Sequence, residues 1–169
     1  MTVAWTGRYL EAVDDDGWEY VRRVSGMSAA VILAITDDGE VVLVEQHRPA
    51  LGAPAIEFPA GLIGDEDGAG ESPGATAERE LLEETGYTAR NWRALGEFAT
   101  SPGMSAETFH LFLATGLEAR HAGGGIGSEK IVVHRVKLEE IAAFADAARA
   151  RGCAIDCRLI AFLPWVSLA

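Results

Sequence analysis

Five charged residues within fourteen positions hold most of the chemistry this chain can offer: Glu71, Arg79, Glu80, Glu83 and Glu84. At about 100° per residue along a helix, the last four occupy offsets 0, 1, 4 and 5 and share one arc. Glu80 and Glu84 stand one turn apart on the same side, where two carboxylates repel by a few tenths of a kcal/mol. A hard divalent ion, Mg2+ or Mn2+, reverses that cost, because a cluster of oxygens is what such an ion takes up. A solvated acidic face is the ordinary reading of two or three helical glutamates. The flanking sequence decides between the two.

The elements that must position these residues are legible around them. Ser72 is placed to N-cap a helix, Pro73 suits its first position, and an Ala/Leu/Glu-rich body leads to Gly86, which suits a left-handed stop. The pattern predicts a helix over 73–85. Upstream, Ser28 to Thr36 and Glu40 to Glu45 are rich in Val, Ile and Leu and joined by Asp37-Asp38-Gly39, the pattern of a central hairpin. Arg48 closes the second strand, where it reads equally as a cation facing the site or as a surface ion-pair partner. Ile56 and Phe58 alternate with Glu57 in a short strand, after which the Ala60 carbonyl points toward the acidic helix.

Residues 1–24 hold two strand-like pieces, around Trp5 to Ala12 and Trp18 to Val24, turning at 14–17. Such a hairpin is marginal alone and must pack on something. Beyond the helix, strands are expected over 92–100, 108–114 and 131–137. Gly123, Gly124, Gly125 and Gly127 predict a mobile connection before Glu129. An amphipathic helix over 138–151 ends at Gly152, and a shorter one begins near Asp156 and is disturbed by Pro164.

A length of 169 residues suits a single fold with a substantial core, and 49% apolar with 24% charged residues is ordinary for a soluble protein. A net charge of −12 argues against duplex nucleic acid or an anionic membrane as the main partner. Cys153 and Cys157 lack neighbouring histidines, which excludes the usual zinc spacings and leaves two thiols suited to a reducing compartment. With no long apolar run and no charged-then-apolar leader, the expected location is the cytoplasm.

From Glu71 to Tyr87 the sequence resembles the Nudix signature at every specified position: Glu71, seven residues, Arg79-Glu80-Leu81, then Glu83-Glu84 and Gly86-Tyr87. It departs at one point. If Gly61 is the first glycine, nine residues rather than five precede Glu71, a four-residue insertion in a Gly/Asp-rich loop. We expect it only to lengthen a rim loop. Over nearly its whole length the chain looks like the ADP-ribose pyrophosphatase branch, carried by residues 45–50, 57–61, 101–105 with Glu107, and Glu129.

The resemblance implies an α/β Nudix fold, a mixed β-sheet sandwiched between helices, with residues 1–24 as an arm that pairs across a two-fold dimer and 25–169 as the hydrolase domain. It implies a cofactor of two or three Mg2+ or Mn2+ ions, held by the Ala60 carbonyl, Glu80 and Glu84, with Glu83 and Glu71 as further or water-mediated ligands. Arg79 would hold the glutamates in place. Glu129 is the first choice of general base and Glu83 the second. Arg48 would bind phosphate or ribose, Glu107 the terminal ribose, and Trp18 or Tyr9 would stack on the base unless they only pack the hairpin. The implied activity is cleavage of ADP-ribose or a related nucleoside-diphosphate sugar. GDP-mannose, another sugar nucleotide or an oxidised nucleotide are alternative substrates, and a non-catalytic ADP-ribose sensor is the alternative of a different class.

Overall fold

Apolar side chains that alternate along the central strands sort the interior onto two faces of one sheet, in a computed structural model that describes residues 1–24, 27–64, 70–127 and 129–163. In chain order the described elements are β1 (Thr2–Thr6), β2 (Leu10–Asp15), β3 (Trp18–Arg23), β4 (Ala29–Ile35), β5 (Glu40–Arg48), β6 (Ala53–Glu57) and β7 (Ala60–Leu62). Then come α1 (Pro73–Thr85), β8 (Tyr87–Ala99), β9 (Thr108–Ala119), β10 (Val132–Lys137), a 3-10 turn (Leu138–Glu140), α2 (Ile141–Ala150), β11 (Ala154–Ile155) and α3 (Cys157–Phe162). The main sheet runs β11-β6-β5-β4-β9-β8, with β10 on β5 and β7 on β4. It is mixed as expected, since β4 and β9 are parallel while β4 meets β5 and β7 antiparallel.

Val31, Leu33, Ile35, Val41 and Leu43 pack with Ile141, Ala148, Leu159 and Phe162 of α2 and α3. Ala30, Ile32, Ala34 and Val42 face the other way, onto Ala77 and Leu81 of α1. The sheet is therefore sandwiched between helices. Ala30, Ala34, Ala77 and Ala114 are among the fully buried residues of this α1-face cluster.

One break in the sheet matters for the site. β4 and β5 pair only at Ala34↔Val42 and Ile35↔Val41. Beyond that point β5 pairs with β6, from Val44↔Glu57 to Arg48↔Ala53, while β4 takes up β7, from Ala29↔Leu62 to Val31↔Ala60. The Ile32 amide donates to the Pro59 carbonyl at 2.9 Å and bridges the change of partner. The chain between β6 and β7 thus crosses the split and carries Ala60 and Gly61 to the underside of α1.

Helix α1 has the expected bounds, with the Ser72 side chain accepting from the Ala75 amide at 3.2 Å and Gly86 at φ 76°. Other elements differ from expectation. The first N-terminal piece is two strands, because Gly7 turns the chain by donating to the Leu10 carbonyl at 2.8 Å, at a position where a Cβ would lie 2.3 Å from the Trp5 ring. Residues 1–24 therefore form a three-stranded sheet, β1-β2-β3, that contains the expected hairpin. It joins the main body through Val21, whose amide donates to Met104 O and whose carbonyl accepts from Ala106 N, each at 2.9 Å.

β8 starts at Tyr87 rather than Trp92, hidden in the sequence by polar residues that an edge strand leaves exposed. β11 is too short for a period to register. The predicted helix over 138–151 opens as a 3-10 turn, and Asp156 caps α3 by accepting from the Arg158 amide at 2.8 Å. The four-residue insertion and Pro164 lie outside the described residues.

Candidate functional site

Arg79 is the hub of the acidic face. Its Nη1 donates to Glu80 at 2.8 Å and Glu83 at 3.0 Å, and its Nη2 to Glu71 at 3.2 Å. Glu71 is held on its other side by the Thr76 hydroxyl at 2.8 Å. Hydrogen bonding from Arg79 pulls the Glu71 carboxyl below its ordinary pKa, against a smaller upward push from burial. Burial works to lower the Arg79 pKa, but the bonds and charges of Glu71 and Glu80 outweigh it and hold the guanidinium more firmly protonated. Arg79 thus stands among three of the four glutamates.

Glu84 stands apart. It is 4% exposed, and its Oε2 accepts from the Ala60 amide at 3.0 Å. Burial pushes its pKa up to about 8; the Ala60 hydrogen bond lowers it, the Glu80 and Glu129 charges raise it further, and Arg48 lowers it. The contact observed at Ala60 is thus through its N–H, whereas the sequence reading looked to its carbonyl. Gly61 is equally close, since a Cβ there would sit 1.9 Å from the Glu80 carboxylate. No side chain fits between β7 and α1 at that point.

The glycine-rich stretch is docked rather than loose. Gly124 N–H donates to Glu84 O at 2.9 Å and Gly125 N–H to Glu83 O at 3.1 Å, so the loop caps carbonyls at the C-terminal end of α1. A Cβ on Gly123 would lie 2.5 Å from the Thr85 carbonyl carbon. Glycine here serves close approach as well as the left-handed φ of 70°. The docking brings Glu129 into electrostatic range of Glu84. Its Oε2 accepts from the Ile126 amide at 3.0 Å, and it lines a cavity of about 300 Å³ with Gln46, His47 and Lys130.

Arg48 reaches the same region, and both sequence readings of it meet here: its charge acts on Glu84, and it is ion-paired, to Glu57 at 2.5 Å. Glu107 pairs with Arg23 at 2.5 Å and lines a separate cavity of about 410 Å³ with Phe98, Phe109 and Arg158. Trp18 lies at the β2–β3 turn, 62% exposed, and takes no part in the network around α1 within one chain. Tyr9 is also exposed, beneath the Arg8 guanidinium. Sequence reading missed Glu57, Thr76 and the docking of Gly124 and Gly125. Glu57 alone left a signal, an acid between two apolar residues facing a strand that ends in arginine.

A helix presenting several carboxylates against a split mixed sheet gathers oxygen donors of the kind that hard cations take. The family model of the NUDIX domain matches residues 26–155, and the chain belongs to the Nudix family. It is 37% identical over 135 residues to the ADP-ribose pyrophosphatase of Bacillus subtilis (strain 168), covering 78% of this chain and 71% of that protein. It is 44% identical over 94 residues to the ADP-ribose pyrophosphatase of Mycobacterium tuberculosis, covering 56% and 44%. The methanol dehydrogenase activator of Bacillus methanolicus is 40% identical over 104 residues, 62% of this chain and 54% of that protein. The chain thus spans little more than half of one relative and less than half of another. A solved structure described as an ADP compounds hydrolase shares the fold, with a TM-score of 0.70 and 24% identity over 99% of this chain and 90% of that one.

Nudix hydrolases generally use divalent metals. As the side chains stand, no three His, Cys, Asp or Glu residues among those described converge on one point, and Arg79 engages three of the acids itself. The donor set nevertheless fits a hard cation, because every candidate ligand is an oxygen and positive charge beside the buried Glu84 favours its charged form. Among the described residues, no helix is long and apolar enough to cross a membrane.

Proposed function

We propose that this chain is a homodimeric, divalent-metal-dependent pyrophosphohydrolase that cleaves ADP-ribose or a related nucleoside-diphosphate sugar to a nucleoside monophosphate and a sugar phosphate. The observation that carries the reading is the buried Glu84, set between Ala60 and the Arg79-centred acids and facing both Glu129 and Arg48. The names of the pyrophosphatase relatives support the substrate class.

Glu80, Glu84 and the Ala60 carbonyl are the proposed metal ligands, with Glu83 and Glu71 as further or water-mediated ones. Two or three Mg2+ or Mn2+ ions would there neutralise the pyrophosphate and activate the attacking water. Arg79 keeps the carboxylates apart and aimed. Glu129 takes the proton of the attacking water on Oε1, the oxygen not engaged by the Ile126 amide, with Glu83 as the second candidate. A P–O bond forms from water and the bridging P–O bond breaks, releasing the two phosphates.

Arg48 binds phosphate or ribose, and Glu107 the terminal ribose. Residues 1–24 act as the dimerisation arm of a domain over 25–169, a reading supported by the exposed Val3, Trp5 and Trp18 on the small sheet and Tyr9 beside it. Dimerisation is what would carry Trp18 to a substrate base. Two free thiols suit a reducing cytoplasm.

A 37% identical GDP-mannose pyrophosphatase of Cronobacter sakazakii keeps GDP-mannose as the second substrate. Phosphate-releasing turnover of ADP-ribose, ADP-glucose, GDP-mannose, NADH and 8-oxo-dGTP with Mg2+ tests the reading. Preference for ADP-ribose, yielding AMP and ribose 5-phosphate, is the expected result. Saturable ADP-ribose binding without turnover of any member would make the chain a sensor.

A further inference from the structure

Glu57 is an acid in an unusual place. It ends β6 between Ile56 and Phe58, which are 0% and 1% exposed, and is itself only 7% exposed. Leaving a carboxylate there without partners is costly. Its partners are Arg48 and Gln46, brought alongside by the antiparallel pairing of β5 and β6. Arg48 Nε lies 3.1 Å from Oε1 and 3.0 Å from Oε2, Arg48 Nη2 lies 2.5 Å from Oε2, and Gln46 Nε2 lies 3.4 Å from Oε2.

The two side chains differ in exposure, 40% for Arg48 and 10% for Glu57. Glu57 is thus a fixed anchor at the edge of the core, and the guanidinium is the part that reaches outward. Nε and Nη2 are spent on the anchor, while Nη1 has no protein partner among the described residues. A free arginine carries considerable rotamer entropy, and a guanidinium gripped by two of its three nitrogens has given up most of it before any ligand arrives.

We infer that Glu57 is a positioning residue for substrate binding, holding the Arg48 guanidinium so that its Nη1 edge meets an anionic oxygen of the sugar nucleotide. The inference rests on the substrate role proposed for Arg48. Glu57 touches no substrate and acts only through Arg48. Arg158, on the other side, also feels the Glu57 charge but is itself paired with Asp156 through its Nε at 2.7 Å, so Arg48 is the cation whose orientation Glu57 determines.

The test is a double-mutant cycle read by the affinity for α,β-methylene ADP-ribose and by steady-state turnover of ADP-ribose. Glu57→Gln preserves side-chain volume and should weaken binding about tenfold, the scale of one lost charge-assisted hydrogen bond, raising KM with kcat within about twofold. Glu57→Gln added to Arg48→Ala should cost nothing further, because the group it positions is gone. Arg48→Lys, which leaves the Glu57 site intact, should match the loss seen in Glu57→Gln, since an ammonium cannot be gripped as a fork. Unchanged affinity in Glu57→Gln, or losses that add in the double variant, would overturn the inference while wild-type turnover upholds the pyrophosphohydrolase reading. Absence of wild-type turnover on every sugar nucleotide would overturn that reading, and the inference with it.

Discussion

Two polar clusters lie on opposite sides of the β5 strand, and their charge balance differs. On the α2 side, Glu45 is met by the His134 ring at 3.0 Å and the Arg151 guanidinium at 3.2 Å, with the Cys153 thiol at 3.8 Å. On the α1 side, Glu71, Glu80 and Glu83 share one guanidinium, and the buried Glu84 has an amide. The first cluster is complete as it stands and ties β5 to β10 and the end of α2. The second carries an excess of negative charge that the fold pays to keep. Acidity alone does not distinguish a site from a structural network; acidity short of cations does.

The comparison breaks most sharply under substitution of one acid on each side. Glu84→Gln should lower kcat by about 10³-fold, the scale of several kcal/mol of metal-supplied stabilisation. Glu45→Gln should leave turnover within about twofold, as measured by phosphate release from ADP-ribose.

A pH series sharpens it next. Folding raises the Glu84 pKa from 4.5 to about 8, so metal-stripped folded protein holds this proton more tightly than the unfolded chain does. The stability that follows is intact below pH 4.5 and is lost as pH rises through 8. Denaturant unfolding of the stripped protein should therefore show stability falling across that window, with Mg2+ restoring it and Glu84→Gln flattening the slope. A slope that survives in Glu84→Gln would assign it to other groups.

Close packing beneath α1 gives a smaller effect. Gly61→Ala places a methyl on the Glu80 carboxylate and should cost about 1–3 kcal/mol in denaturant unfolding, with turnover reduced as Glu80 shifts. Smallest of all, Ser72→Ala removes the N-cap and should cost about 1 kcal/mol with little change in kcat.

What the sequence made legible follows the range of the forces involved. Helix α1, its Ser72 cap and its Gly86 stop are local, and they appear where the pattern puts them. The β4–β5 hairpin was legible for the same reason, whereas the mixed sheet was expected from the family resemblance. Hidden in the sequence were the features set by contacts distant along the chain. Gly124 and Gly125 look like slack until they are seen to cap Glu84 and Glu83 carbonyls forty residues away. The Glu57 grip on Arg48 needs the β5–β6 register, which no local pattern supplies. The start of β8 was masked because an edge strand tolerates polar residues on its open face. Trp18 shows the converse limit: a strand signal placed it on a hairpin but could not say what the exposed ring meets.

A titration with Mn2+, followed by the loss of the free-ion electron paramagnetic resonance signal, tests the central claim that the α1 face is the cation site. Wild type and Glu45→Gln should take up Mn2+ alike, and Glu84→Gln should bind it at least about tenfold more weakly, the effect of losing one charged ligand. Equal uptake by Glu84→Gln and wild type, or a loss confined to Glu45→Gln, would contradict the account.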